Sequence, residues 1–309
     1  MKISIVGSGR VGAALAFTLV QRGLGDELVL TDADLARAEG EALDLNHALG
    51  FTEHPMTVRA GPLADTAGSD ALVLACSAPW KPEYKSRFDI GADNAALFRE
   101  IVPPLAAASP AAAILVISNP VDVMTWHALR WSGFGPARVF GAGTLIDSAR
   151  FRAALSRRMG IHPDDLRAYV LGEHGDSQFP FFSMAVAGGA RIAADEETRE
   201  IFRQTARSGY EVVRKKGHTS FAIAMAAALA IEALAWDTRR TMPLSVSIEG
   251  WLGVRDVCLS LPVVVGRGGI RRVLQPEFSA EEAEAFRRCA QVVREGIERS
   301  LRGAEAGPA

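Results

Sequence analysis

His174 stands in the acidic hexapeptide Gly172-Glu-His-Gly-Asp-Ser177, directly after the apolar, strand-like run Ala168-Tyr-Val-Leu171. Histidine exchanges a proton near neutrality, and a carboxylate beside such a ring stabilises its charged form and fixes its tautomer. A residue so placed can donate a proton to a reacting group. A second pair, Asp147 and Arg150, lies in the helix-like stretch from Ile146 to Met159. Three residues apart on a helix they share a face, so the carboxylate could orient the histidine while the guanidinium binds an anion. Taken alone, a histidine beside acids also reads as a loop residue making an ordinary hydrogen bond. The rest of the chain tips the balance.

Positioning these groups needs a scaffold, and 309 residues with 49% apolar composition are enough for one large or two moderate cores. In the first half, strand-like runs at Ile3 to Val6, Glu27 to Thr31, Thr57 to Ala60, Ala71 to Cys76, Ala113 to Ser118 and Arg138 to Gly141 are separated mainly by helix-like stretches. These helices are expected from Arg10 to Gln21, Leu35 to Ala48, Phe88 to Ala108 and Val121 to Trp131. Such alternation predicts an α/β fold with a doubly wound parallel sheet of the Rossmann type over residues 1–145. From Ile146 the pattern becomes mixed. Strands near 168–171, 179–188, 243–248 and 257–265 and helices over 196–214, 219–236 and 280–301 predict an α+β catalytic domain over 146–309. The ligand cleft is expected between the halves, and an irregular tail over Gly303 to Ala309.

Composition narrows the function classes. A net charge of -2 argues against nucleic acid. The chain opens on the strand Lys2 to Val6 with no signal-like segment before it, and no apolar run reaches the roughly 18 residues of a membrane span. A cytoplasmic location is expected. Cys76, Cys258 and Cys289 lack metal or disulfide spacing, so no metal site is expected and buried thiols are the simpler reading.

Gly7-Ser-Gly9-Arg-Val-Gly12 follows the first strand and opens the first helix. Gly7 permits a tight turn, Gly9 lets backbone approach a pyrophosphate, and Gly12 allows close helix packing, while the helix start offers amide donors. Asp32 ends the second strand about 20 residues on, where a carboxylate accepts from ribose hydroxyls and repels the extra phosphate of NADP. NAD is the expected cofactor.

With these features in place, the chain resembles the L-lactate and lactate-like malate dehydrogenase family over essentially its whole length. The matching stretches are Gly7 to Gly12, Asp44-Leu-Asn-His47, Arg87-Phe-Asp-Ile90 with Asn94, and Ser118-Asn-Pro-Val-Asp122. Further matches are Gly143-Thr-Leu-Ile-Asp-Ser-Ala-Arg-Phe-Arg152, Tyr169 to Ser177, Lys216-Gly-His-Thr219 and Leu259-Ser-Leu-Pro262. The resemblance implies His174 as proton donor, Asp147 as its partner, and Arg150 as a bidentate clamp on a substrate carboxylate. It also implies Arg87 as the lid arginine that polarises the carbonyl, with Asn119 and Thr219 near the substrate. Val11, Ser77, Ala78, Ser118 and Asn119 would line the cofactor path beside Gly7, Gly9, Gly12 and Asp32. A cis bond at Asn119-Pro120 is open.

The lid departs from the family pattern. Where relatives carry glutamine for lactate or arginine for malate, this chain has Trp80, an apolar face that pairs with no second carboxylate. The run from Pro82 to Arg87 is also one residue longer than usual, so Lys81 or Lys85 could reach the substrate instead. Thr144, Glu173 and Thr219 match the lactate branch. The expected activity is therefore that of an NAD-dependent L-2-hydroxy-acid dehydrogenase, lactate dehydrogenase-like, acting on pyruvate or a similar 2-keto acid. Malate, or bulkier apolar 2-hydroxy acids, stay open as substrates, and a non-catalytic NAD-binding regulatory protein is the alternative of another class. The resemblance implies a homodimer or homotetramer. It also places Arg152 and Arg167 where many bacterial relatives bind fructose 1,6-bisphosphate across a subunit interface. A histidine is usual at the second of these positions.

Overall fold

The computed structural model describes residues 1–84 and 89–305. Its first half runs β1 (Lys2–Val6), α1 (Arg10–Arg22), β2 (Glu27–Thr31), α2 (Leu35–Ala48), β3 (Thr57–Ala60), β4 (Ala71–Leu74), α3 (Gly91–Ala108), β5 (Ala113–Val116), α4 (Val121–Ser132) and β6 (Val139–Gly141). Parallel pairing orders these strands β3-β2-β1-β4-β5-β6. Every residue of β4 and β5 is buried, as an apolar run covered on both faces must be. The order reverses between β1 and β4, the place where open sheets of this kind bind ligands at their carboxyl ends.

The second half continues with α5 (Leu145–Met159), β7 (Leu166–Leu171), β8 (Phe179–Ala187), β9 (Ala190–Arg191), α6 (Glu196–Lys216), α7 (Phe221–Trp236), β10 (Arg240–Glu249), β11 (Arg255–Gly266), β12 (Gly269–Val273) and α8 (Ala280–Glu305). Only β7, β8 and β9 form a sheet of their own. The antiparallel strands β10, β11 and β12 instead extend the parallel sheet to nine strands, joined at Ser245 of β10 opposite Gly141 of β6. One nine-stranded sheet therefore runs through both halves of the chain, beside the three-stranded sheet of the second. The reason is visible in β10, whose residues from Met242 to Val246 are all buried, the pattern of an interior strand.

One buried cluster accordingly runs from Ile5 and Leu15 through Ala230 and Leu244 to Val263 and Val293. Helix α7 is apolar nearly all round and packs one side against α1, β11 and α5, while Phe221, Met225 and Trp236 stay exposed on the other. Its buried Glu232 is held by Arg22 from α1. Several boundaries shift. Strands β4 and β5 end two residues before Cys76 and Ser118, where the chain turns off the sheet to build a loop. β9 and β12 appear where no strand was expected, and α8 runs on to Glu305 where an irregular tail was expected. Residues 306–309 of that tail lie outside the described residues. No helix among the described residues is long and apolar enough to cross a membrane.

Candidate active site

At the start of α1, Gly7 has φ 103°, and a Cβ there would lie 2.5 Å from the Cys76 nitrogen. A Cβ on Gly12 would lie 1.9 Å from the Gly7 carbonyl oxygen. Both positions therefore admit only glycine, whereas Gly9 has nothing within 4 Å and leaves its backbone open to a ligand. Helix α1 has no side-chain cap and no acid in its first turn, so its leading amides stay available to a phosphate. Val11 is half-buried in that turn.

Asp32 accepts from the Ser8 amide at 2.6 Å and from the Asp34 amide at 3.0 Å, which fixes its carboxylate at the end of β2. Each oxygen keeps a further acceptor position for a ribose hydroxyl. Of the four buried side-chain atoms without a partner among the described residues, two are Ser8 Oγ and Asn119 Oδ1. Such orphans are costly unless a ligand satisfies them, and they flank this loop region. The residues present thus fit a dinucleotide.

The loops after β4 and β5 are tied together by Asn94 of α3, which is almost wholly buried. Its Oδ1 accepts from the Ala78 amide at 2.7 Å and from Ser77 Oγ, and its Nδ2 donates to the Asn119 carbonyl at 2.7 Å. Ser118 Oγ donates to the carbonyls of Leu74 and Cys76. The Asn119-Pro120 peptide is cis. Asn94 was legible only as a family match; its bridging role needs the fold. Burial pushes the largely buried Cys76 thiol up to about 12, so it is no nucleophile.

The second group forms where α5 meets β7. Thr144 Oγ1 donates to the Val170 carbonyl at 2.6 Å, and Ser148 Oγ bonds both polar groups of Val170, which pins the first turn of α5 to the strand. Asp147 projects from that turn and Arg150 from the next. Gly172 ends β7 with φ 91°, and a Cβ there would meet the Cys289 sulfur at 2.4 Å. Its amide and carbonyl pair with Ser260 of β11. Two residues on, His174 Nδ1 lies 2.5 Å from Asp147 Oδ2, and Arg150 Nη1 lies 3.2 Å from Asp147 Oδ1. One carboxylate therefore orders both the imidazole and the guanidinium. His174 Nε2 keeps no protein partner among the described residues.

Glu173 is buried and accepts from both the amide and the hydroxyl of Ser177, closing the loop beneath the histidine. Asp122, quoted in a family match but given no role, accepts from the His174 amide at 2.7 Å and from Ser245 Oγ at 2.5 Å. Thr219 is half-buried in the turn between α6 and α7. Trp80 is 59% exposed with its ring edge-on to Tyr84. Lys81, one of the two lysines expected to be able to reach the substrate, is paired with Asp93 at 2.7 Å, and Asp93 also accepts from Tyr84. Lys85 and Arg87 lie outside the described residues. No cluster of three or more metal-ligating side chains occurs among the described residues.

A glycine-lined helix start at the switch point of a doubly wound sheet, together with a His–Asp–Arg group built where α5 meets β7, points to a nicotinamide-linked oxidoreductase of small acids. Comparison with known proteins gives the family. Residues 1–141 match the lactate/malate dehydrogenase NAD-binding domain, and residues 144–302 match the α/β C-terminal domain of the same family. An L-lactate dehydrogenase of Synechococcus sp. (strain JA-3-3Ab) is 40% identical, with 96% of this chain and 99% of the relative covered. An L-lactate dehydrogenase of Thermoanaerobacter sp. (strain X514) is 39% identical over 96% of this chain and 98% of the relative. Among solved structures, a lactate dehydrogenase from a Medee basin deep-sea metagenome library superposes with a TM-score of 0.93 at 31% identity, covering 97% of this chain and 98% of that one. The minor L-lactate dehydrogenase of Enterococcus mundtii, in a ligand-bound form, gives 0.92 at 28% identity, covering 96% and 97%. This chain belongs to the lactate/malate dehydrogenase family and is an NAD-dependent hydroxy-acid dehydrogenase.

Proposed function

We propose that the chain interconverts a monocarboxylic 2-keto acid, pyruvate first among them, and its L-2-hydroxy acid. The Asp147 carboxylate shared between His174 and Arg150 is the observation that carries this reading. Bound NADH supplies the hydride that reaches C2 of the keto acid. Arg150 binds the substrate carboxylate through two parallel hydrogen bonds and so fixes the carbonyl carbon in register. His174 donates a proton from Nε2 to the carbonyl oxygen as alkoxide charge develops there. Asp147 accepts from Nδ1, holds the ring in place and stabilises the imidazolium before transfer. Asn119 and Thr219 line the substrate, and Arg87 adds positive charge at the carbonyl oxygen. In the reverse direction His174 takes the hydroxyl proton.

Trp80 and the Lys81–Asp93 pair favour a substrate with a single carboxylate, because the lysine is already paired and the ring offers only an apolar wall. The test is a panel of pyruvate, oxaloacetate, phenylpyruvate and 2-ketoisocaproate with NADH and NADPH, read by absorbance. Pyruvate with NADH is expected to lead, and Trp80→Arg is expected to raise the oxaloacetate to pyruvate ratio of kcat/KM. A wild type that prefers oxaloacetate, or an unchanged ratio in the variant, would remove Trp80 from the specificity pocket. Equal use of NADPH would remove Asp32 from cofactor choice.

A homodimer or homotetramer in the cytoplasm is part of this reading. Phe17, Leu43, Phe51, Phe221 and Met225 are large apolar side chains left exposed on α1, α2 and its 3-10 extension, and α7, as an oligomer interface would require. Arg152 and Arg167 are the proposed effector pair. Burial pulls the Arg152 pKa below its usual value, with Arg167 and Arg240 adding to the effect against Tyr169 and Asp164. Arg167 donates to the Asp164 carbonyl at 2.7 Å, and neither arginine forms an ion pair among the described residues. Crowded cations of this kind gain from a phosphorylated ligand. Millimolar fructose 1,6-bisphosphate is expected to lower the KM for pyruvate and to raise the oligomer mass at low protein concentration. Superimposable saturation curves and masses would dismiss the effector site.

A further inference from the structure

Asp122 sits in the first turn of α4 and is 3% exposed. A carboxylate buried to that degree is costly unless its oxygens are satisfied. Both are used. Oδ2 accepts from the main-chain amide of His174 at 2.7 Å, and Oδ1 accepts from Ser245 Oγ on β10 at 2.5 Å. One side chain therefore joins three elements that the sequence separates widely: α4, the loop after β7, and β10 in the extended sheet. Asp147 orders the histidine through its ring, whereas Asp122 orders it through its backbone.

We infer that Asp122 is a positioning residue for His174, whose buried carboxylate anchors the histidine's main chain to the nine-stranded sheet and sets the field in which the imidazole keeps its proton. The inference rests on the proposed role of His174 as proton donor and adds a second carboxylate to the support of that donor.

The surroundings allow Asp122 to act through its charge. Its pKa is raised to about 7, chiefly by burial and further by Glu173, against the lowering bonds from Ser245 and the His174 amide and the lowering charge of His174. The titratable groups acting on or facing it are Glu173 and His174 from the β7–β8 loop, Cys258 from β11 and Cys289 from α8. Burial holds both thiols neutral, well above their usual range. The charge of a protonated His174 favours the ionised Asp122 carboxylate, and by the same attraction a negative charge at Asp122 would favour the proton-carrying ring that keto-acid reduction needs.

The folded state keeps the Asp122 proton up to about 7 against 3.8 for the free side chain. Between those values the folded chain binds more protons than the unfolded one, so stability falls as pH rises through the window and levels off above it. Asp122→Asn keeps an acceptor for the His174 amide but removes the charge. It is expected to flatten that fall, seen as a smaller difference in melting temperature between pH 5 and pH 8.

The decisive readout is the proton on His174. In Asp122→Asn the alkaline limb of kcat/KM for pyruvate reduction is expected to move to lower pH by about half a unit to one unit, a roughly three- to tenfold loss at pH values above the limb. The imidazole midpoint from NMR of 13C-labelled histidine should move the same way. Ser245→Ala withdraws a donor from the ionised carboxylate and should shift both in the same direction by less. An NMR midpoint unchanged in Asp122→Asn overturns the inference, whatever happens to stability. The NMR titration needs no turnover, so a wild type that reduces no 2-keto acid would strike the functional reading alone.

Discussion

Replacing His174 with alanine is expected to lower the rate of keto-acid reduction at least roughly a hundredfold, the lower end for losing a general acid, while NADH binding stays near wild type. The split follows from where the residue sits. His174 follows β7 and is held by Asp147 of α5 and Asp122 of α4, whereas the dinucleotide loop is built from Gly7 to Gly12 and Asp32 at the ends of β1 and β2. Removing the imidazole deletes the proton donor without touching the glycine turn. The Asp147 contact with Arg150 is made through the other carboxylate oxygen and does not depend on the imidazole. Steady-state turnover with pyruvate gives the rate, and quenching of protein fluorescence by NADH gives the affinity. Turnover within tenfold of wild type would take His174 out of the chemistry. A large loss of NADH affinity would mean that the loop from Gly172 to Ser177 supports the cofactor as well.

The parallel half was readable because its strands are short apolar runs with helices between them, and because Gly7, Gly9 and Gly12 fall where a strand gives way to a helix. The pairing of His174 with Asp147 was readable as chemistry, since an acid and an imidazole in one family pattern have few other uses. What the chain did not disclose is long-range. Asp122 in the first turn of a helix reads as an ordinary complement to the helix dipole. Its actual partners are a backbone amide 52 positions away and a serine 123 positions away. The continuation of the sheet is hidden in the same way, since it depends on Ser245 meeting Gly141. Strand β12 carries Arg271 and Arg272 side by side and lies at the sheet edge, so no alternation marks it. Nor does the lid sequence disclose that Lys81, read as able to reach the substrate, pairs with Asp93 in the first turn of α3.

Arg150→Lys is expected to raise the KM for pyruvate about ten- to a hundredfold, because bonds to charged groups contribute about 1.5–3 kcal/mol and each 1.4 kcal/mol is tenfold in affinity. The side chain keeps its charge, so a purely electrostatic role would predict a small change. Geometry predicts a large one. The guanidinium is planar and can present one edge to Asp147 at 3.2 Å while keeping another for a substrate carboxylate, whereas an ammonium is a single point that must choose. The setting is also shaped for a plane. Arg150 packs beside Gly209 of α6, where an added Cβ would stand 3.2 Å from Nη1, so the helix approaches the guanidinium closely and leaves little room for a repositioned chain. Because His174 and Asp147 stay paired in the variant, kcat is expected to fall by less than tenfold and NADH affinity to hold. The effect should therefore appear chiefly in KM, which separates loss of the clamp from loss of the proton donor. Steady-state kinetics over a wide pyruvate range measures both constants. A KM within threefold of wild type would mean that a point charge suffices at this position and that the substrate carboxylate is held by some other donor.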